Sequence, residues 1–89
     1  VEFDVWAEEN GAHQLRFRYG NGAATPATRT IRVDGAPLGT LSLPPTGSWS
    51  SWGTASIDVT LPPGRHAVRI EYAGGDSGGV NLDNLVLAR

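Results

Sequence analysis

Apolar side chains recur at every second position in one short stretch after another, and turns rich in glycine and proline separate the stretches. Successive side chains of an extended strand point to opposite faces, so each stretch is built to bury one face and wet the other. Val1, Phe3 and Val5 alternate with Glu2, Asp4 and Trp6, and Leu15, Phe17 and Tyr19 alternate with Gln14, Arg16 and Arg18. Ala55, Ile57, Val59 and Leu61 alternate in the same way with Thr54, Ser56, Asp58 and Thr60, and Val68, Ile70 and Tyr72 form another apolar face. No window carries the three-and-four apolar spacing of an amphipathic helix. About seven short strands at intervals of about 8–12 residues predict an all-β fold, an antiparallel, jelly-roll-like β-sandwich.

The turns set the expected pairing. Asn10-Gly11 is a strong turn dipeptide and predicts a hairpin over residues 1–20. Asp34-Gly35 predicts a second hairpin, between Thr28–Val33 and the stretch holding Leu38, Leu41 and Leu43. Pro44-Pro45 stops that strand, Pro62-Pro63-Gly64 turns the chain again, and a glycine-rich loop over 73–79 leads into a last strand, Val80–Ala88. Tyr19 and Tyr72 fall on apolar faces and are expected in the core, while His66, next to Arg65, reads as a solvated strand residue.

A chain of 89 residues allows one domain, 1–89, with one modest core. All seven cations are arginines and the net charge is −2, so the basic footprint of nucleic-acid or anionic-membrane binding is missing and neither partner is expected. Without cysteine there is no disulfide framework, no thiolate metal site and no thiol nucleophile. No apolar run approaches a membrane span, and Val1-Glu2-Phe3-Asp4 is not an export signal, so any such signal is expected either to have been removed or to lie upstream in a longer precursor.

Two loops carry the chemistry. Trp49 and Trp52 stand in the Gly/Ser-rich segment Thr46–Trp52, and Gly74–Asp83 brings Asn81 and Asp83 into the start of the last strand, where apolar residues would be expected. Sugars present C–H faces and hydroxyls, so they are recognised by flat aromatic surfaces and by planar amides or carboxylates. The two loops together suggest a sugar-binding face. The plainer alternative is that both tryptophans cover one end of the core. Asp76, Ser77 and Asn21 lie in glycine-rich loops that could rim the same pocket, although such residues also close turns through their own backbone, and the turn role is favoured.

Catalytic readings fare worse. Gly75-Asp76-Ser77-Gly78-Gly79 imitates the segment around the nucleophile of chymotrypsin-like proteases, but a triad needs a base and a carboxylate positioned by a much larger fold. Glycoside hydrolysis needs two carboxyl groups across a cleft, and Glu8 and Glu9 are neighbours in a turn. The chain is read as non-catalytic.

The runs Arg18–Gly22, Ile31–Gly35, Leu38–Pro44, Thr46–Trp52 and Gly74–Leu85, in that order, resemble the carbohydrate-binding modules of family 35 and the related family 6. The resemblance spans almost the whole chain. It implies a β-sandwich that binds oligosaccharide or polysaccharide without catalysis and targets a secreted glycoside hydrolase or related enzyme to its substrate. It also implies that Trp49 is the aromatic platform, that Asn81 hydrogen-bonds the sugar, and that Asp83 is one ligand of a structural calcium ion. Modules of these families begin with a segment bearing a Glu-x-Glu element that has no match here, so the chain resembles the larger C-terminal part of such a module. That makes the calcium site incomplete, because calcium takes six to eight oxygens, and leaves a sheet edge for another segment or chain to complete. The rival expectation is a structural domain that packs its edge and tryptophans on a neighbouring catalytic domain or partner chain.

Overall fold

The computed structural model describes all residues, Val1–Arg89, and contains seven strands and no helix. They are β1 (Glu2–Ala7), β2 (Gly11–Gly20), β3 (Ala27–Val33), β4 (Ala36–Leu43), β5 (Gly53–Leu61), β6 (Gly64–Glu71) and β7 (Asn81–Ala88). One sheet has the order β1-β6-β3-β4 and the other β5-β2-β7, with every pairing antiparallel. The two sheets face each other across a core in which Leu15, Phe17, Ile31, Leu43 and Val68 are fully buried. The predicted all-β sandwich is what the alternation builds: in β2 His13, Leu15, Phe17 and Tyr19 point inward while Arg16 and Arg18 stay wet.

The Asp34-Gly35 hairpin is present, as β3 and β4 pair directly and Asp34 takes a φ of 51° in the turn. The hairpin expected over residues 1–20 is not. β1 pairs with β6, and β2 pairs with β5 and β7 in the opposite sheet. Glu8, Glu9 and Asn10 carry the chain across instead. Stacked sheets lie about 10 Å apart and an extended residue spans about 3.3 Å, so three residues are enough to bridge that gap. A turn dipeptide cannot tell folding back from crossing over.

Two breaks in alternation are bulges. Ile31 pairs with Gly39 and Arg32 with Pro37, so the pairing skips Leu38 and lets Leu38 and Leu41 both pack on the core. Arg18 pairs with Asn84 and Tyr19 with Leu82, skipping Asp83. That second bulge turns Leu82, Leu85 and Leu87 toward the core while Asp83 and Asn84 both stay on the outer face. β1 and β7 are edge strands on the same side of the sandwich, where Phe3, Val5, Leu85 and Leu87 are only partly buried.

Tyr19 and Tyr72 part company. Tyr19 is buried, its hydroxyl donates to the Pro44 carbonyl at 2.8 Å, and burial pushes its pKa up. Tyr72 lies one residue past the end of β6 and is 63% exposed, with the Arg29 guanidinium 4.9 Å from its ring centre. Outside the ladder, alternation no longer dictates which way a side chain points. His66 is likewise no solvated residue: it is 7% exposed, and both ring nitrogens are hydrogen-bonded.

Candidate functional site

The loops before β5 and before β7 meet the β2–β3 connection at one end of the sandwich. Asn21 organises the junction. Its side-chain amide donates to the carbonyls of Leu43 at 3.0 Å and Thr25 at 3.1 Å, and its Oδ1 accepts from the Ala23 amide at 3.0 Å. Its backbone is tied to Thr46 through the Thr46 amide, which donates to the Asn21 carbonyl, and through Thr46 Oγ1, which accepts from the Asn21 amide. The side chain is fully buried, so Asn21 rims no pocket and instead closes the loops through their backbone, the turn role that the sequence favoured for it.

Trp49 rides on this junction. A Cβ on Gly22 would fall 2.6–2.7 Å from Cγ, Cδ1 and Cε2 of Trp49, so the Gly22 backbone lies flat beneath the five-membered ring of the indole. A Cβ on Gly20 would meet the Trp49 carbonyl at 2.6 Å. Only glycine lets the strand end and the loop approach this closely. Gly79 flanks the far edge of the ring, and the Asn81 amide donates to the Trp49 carbonyl at 2.9 Å. With one face backed in this way, Trp49 is still 47% exposed. The result is a fixed aromatic plate beside a side-chain amide whose Oδ1 has no partner in the protein, the pairing of surfaces that a sugar ring requires.

The other candidates separate from this plate. Trp52 packs with its ring 5.1 Å from the Arg18 guanidinium, whose Nη1 also donates to Asp83 at 2.9 Å. This group stands on the outer face of the three-stranded sheet. Asp76 closes its own loop: its carboxylate accepts from the hydroxyls of Thr28 and Thr30 and from the Ala73 amide, and these donors hold its pKa below the usual carboxylate value. The turn role expected for Asp76 is therefore the one its carboxylate performs. Ser77 donates its amide to Thr28 Oγ1 at 3.1 Å and its carbonyl accepts from the Thr28 amide, so it belongs to the same clamp.

Asp83 does not by itself fit a calcium ion. Its Oδ2 accepts from Arg18 and from Asn84 at 3.1 Å, and no group of three or more His, Asp or Glu residues is placed to hold a metal. A single carboxylate balanced by a guanidinium leaves most of the six to eight oxygens unsupplied.

A surface hollow of about 840 Å³ is lined by His13, Gln14, Arg16, Leu38, Asp58 and Arg89, among others, and contains neither tryptophan. It offers no aromatic face on which a sugar could stack. The supports of Trp49, namely Gly22, Gly79 and the burial of Asn21, went unread in the sequence. The signal for them is Gly20-Asn21-Gly22 at the end of a strand, where two glycines flank an amide.

Comparison with known proteins gives the family and the fold. The model of the carbohydrate binding module (family 6) matches residues 1–89. A cycloisomaltooligosaccharide glucanotransferase of Niallia circulans is 42% identical over 98% of this chain, which spans 9% of that enzyme's length. The crystal structure of a Paenibacillus cycloisomaltooligosaccharide glucanotransferase, complexed with cycloisomaltoheptaose, superposes with a TM-score of 0.92 at 36% identity, covering 96% of this chain and 12% of that one. A family 35 carbohydrate-binding module of Cellvibrio japonicus superposes with a TM-score of 0.82 at 31% identity, over all of this chain and 64% of that one. A family match from the first residue to the last, on a two-sheet sandwich shared with solved modules, makes this chain a member of the family 6 carbohydrate-binding modules, the group to which those of family 35 are related.

Proposed function

We propose that this chain binds a neutral polysaccharide, an α-glucan above all, at Trp49 and Asn81, and that it holds a secreted carbohydrate-active enzyme to its substrate without itself catalysing a reaction. The observation that carries the reading is the Trp49 indole, backed by Gly22, half exposed and set beside the Asn81 amide. Stacking on one fixed plate with few hydrogen bonds gives modest affinity, since little contact offsets the ordering of the ligand. Neutral sugar is favoured because the nearby guanidiniums are engaged: Arg18 with Asp83 and Trp52, Arg29 with loop carbonyls and Tyr72. The relatedness to glucanotransferases points the same way.

Affinity electrophoresis and calorimetric titration with isomaltooligosaccharides, xylan and a polyuronate test the proposal. Trp49→Ala abolishes retention by the glucan, Trp52→Ala weakens it far less, and the polyuronate is not retained. Unchanged glucan binding by a folded Trp49→Ala variant would place the site elsewhere.

A second reading has its own observation. β7 presents an unpaired edge, Val86 is exposed on it, and Phe3, Val5, Leu85 and Leu87 beside it are only half covered. That edge suits a strand from a neighbouring segment or domain. Calcium at Asp83 would then draw its remaining oxygens from that segment. Protection of the β7 amides from hydrogen exchange only when the longer polypeptide is present is the result this reading requires.

A further inference from the structure

We propose that Arg29 is a positioning residue for this site: by clamping the loop over residues 72–80 to β3, it sets the Trp49 plate and the Asn81 amide in place. The inference rests on the sugar-binding reading of Trp49 and adds to it a residue that touches neither plate nor amide.

The guanidinium gathers both ends of the loop. Its central carbon lies over the Tyr72 ring at the loop's entry, 4.9 Å from the ring centre, while Nη2 donates to the Gly78 carbonyl at 2.8 Å and Nη1 to the Ser77 carbonyl at 3.3 Å. A further bond from Nη1 to the Thr28 carbonyl at 2.7 Å fixes the guanidinium to its own strand. The carbonyl of Gly78 and the amide of Gly79 share one planar peptide unit, so holding the first orients the second. Gly79 is the residue that flanks the Trp49 ring, and Asn81, two residues on, donates to the Trp49 carbonyl.

Two features show that the loop must sit flush on β3 for this to work. Gly78 has a φ of 80°, and a Cβ there would lie 2.9 Å from Cβ of Ala27, itself fully buried. Asp76, bonded to Thr28, Thr30 and Ala73, draws the middle of the loop to the same strand. Asp76 closes the loop; Arg29 alone among the side chains hydrogen-bonds the peptide next to the plate. Lysine cannot replace it, because a point donor on a flexible stem does not hold this set of carbonyls while keeping its charge over the aromatic ring.

The test uses a Trp6→Phe, Trp52→Phe background, in which Trp49 is the single tryptophan, and compares Arg29→Ala, Arg29→Lys and Arg32→Ala. Arg32 lies on the same strand but hydrogen-bonds Glu71 and Gly35 and makes no hydrogen bond to the loop. Three quantities are read: Trp49 emission without sugar, isomaltooligosaccharide affinity, and the urea midpoint. Both Arg29 variants shift the emission and weaken sugar binding about tenfold while still folded, whereas Arg32→Ala lowers the urea midpoint and leaves emission and affinity as they were. Should Arg29→Ala not fold, Tyr72→Leu, which removes the ring beneath the guanidinium, shifts the emission and weakens binding two- to threefold. Wild-type emission and affinity in Arg29→Ala, full rescue by lysine, or an equal effect of Arg32→Ala would overturn the assignment. If the unsubstituted protein binds none of the sugars, the binding reading fails, and the emission shift alone still decides whether Arg29 positions Trp49.

Discussion

The imidazole of His66 and the carboxylate of Asp34 meet at 2.7 Å, across the β3–β4 turn, and the other ring nitrogen of His66 faces the Pro62 carbonyl at 2.8 Å. Both neighbours are acceptors, so the ring satisfies both only when both nitrogens carry protons. Asp34 in turn accepts the Ala67 amide, which joins the turn to β6.

That geometry has a pH signature. The bonds to Asp34 and Pro62 raise the His66 pKa above 6.5, and the bonds from His66 and Ala67 lower that of Asp34 below 3.8. The raised histidine stabilises the fold fully below about pH 6.5, and its contribution is lost as pH climbs through the folded-state value. The lowered aspartate contributes above about pH 3.8 and is lost as pH falls through its own folded-state value. Urea midpoints should therefore be highest between about pH 4 and 6.5 and decline through neutrality. His66→Gln should flatten the decline above pH 6.5; an undiminished decline in that variant would assign it to another group.

Asn21→Ala removes the partners of two carbonyls and one amide, of which the Leu43 carbonyl is bonded in the buried interior and the other two nearer solvent. A buried group left unsatisfied costs about 1–3 kcal/mol, so a loss of about 2 kcal/mol, set by the Leu43 carbonyl, is expected by urea denaturation. A loss below about 1 kcal/mol would mean that water enters and replaces the amide.

Gly22→Ala pushes a methyl into the Trp49 ring, while Gly74→Ala adds one to open space. Both variants should stay folded. The first should shift Trp49 emission and lower glucan affinity about tenfold, which is about 1.4 kcal/mol, and the second should leave both as they were. Equal behaviour of the two would show that the plate is not set by Gly22.

Calcium added to these residues alone should leave the thermal midpoint in place, because a ligand stabilises only as its concentration exceeds its Kd and the Asp83 carboxylate is held by Arg18. A calcium-dependent rise in a thermal-shift titration, lost in Asp83→Asn, would show that Arg18 yields the carboxylate to the metal.

Phe17 is fully buried and pairs across to Ala55 and Leu85. Phe17→Ala should cost about 3–5 kcal/mol, a large part of what a domain of this size has in hand. Equilibrium unfolding in urea, with an unchanged slope and a lower midpoint, checks this.

The alternation of small and large, wet and dry residues determined the strands, the faces of β2 and β5, the Asp34-Gly35 hairpin and the sandwich, because a period of two is a local property that each strand carries alone. The composition of the two loops determined that Trp49 and Asn81 should be read together, and the fold does place the Asn81 amide on the Trp49 carbonyl. Only the tertiary structure decided that Asn10-Gly11 crosses between sheets, that Asn21 is a buried bracket, that His66 is enclosed by two acceptors, and that Tyr72 lies outside under Arg29. Each of these depends on which distant segment arrives next to the residue. A side chain's role follows from the partners that packing brings to it, and those partners lie 22 residues away for Asn21 and Leu43 and 32 for His66 and Asp34.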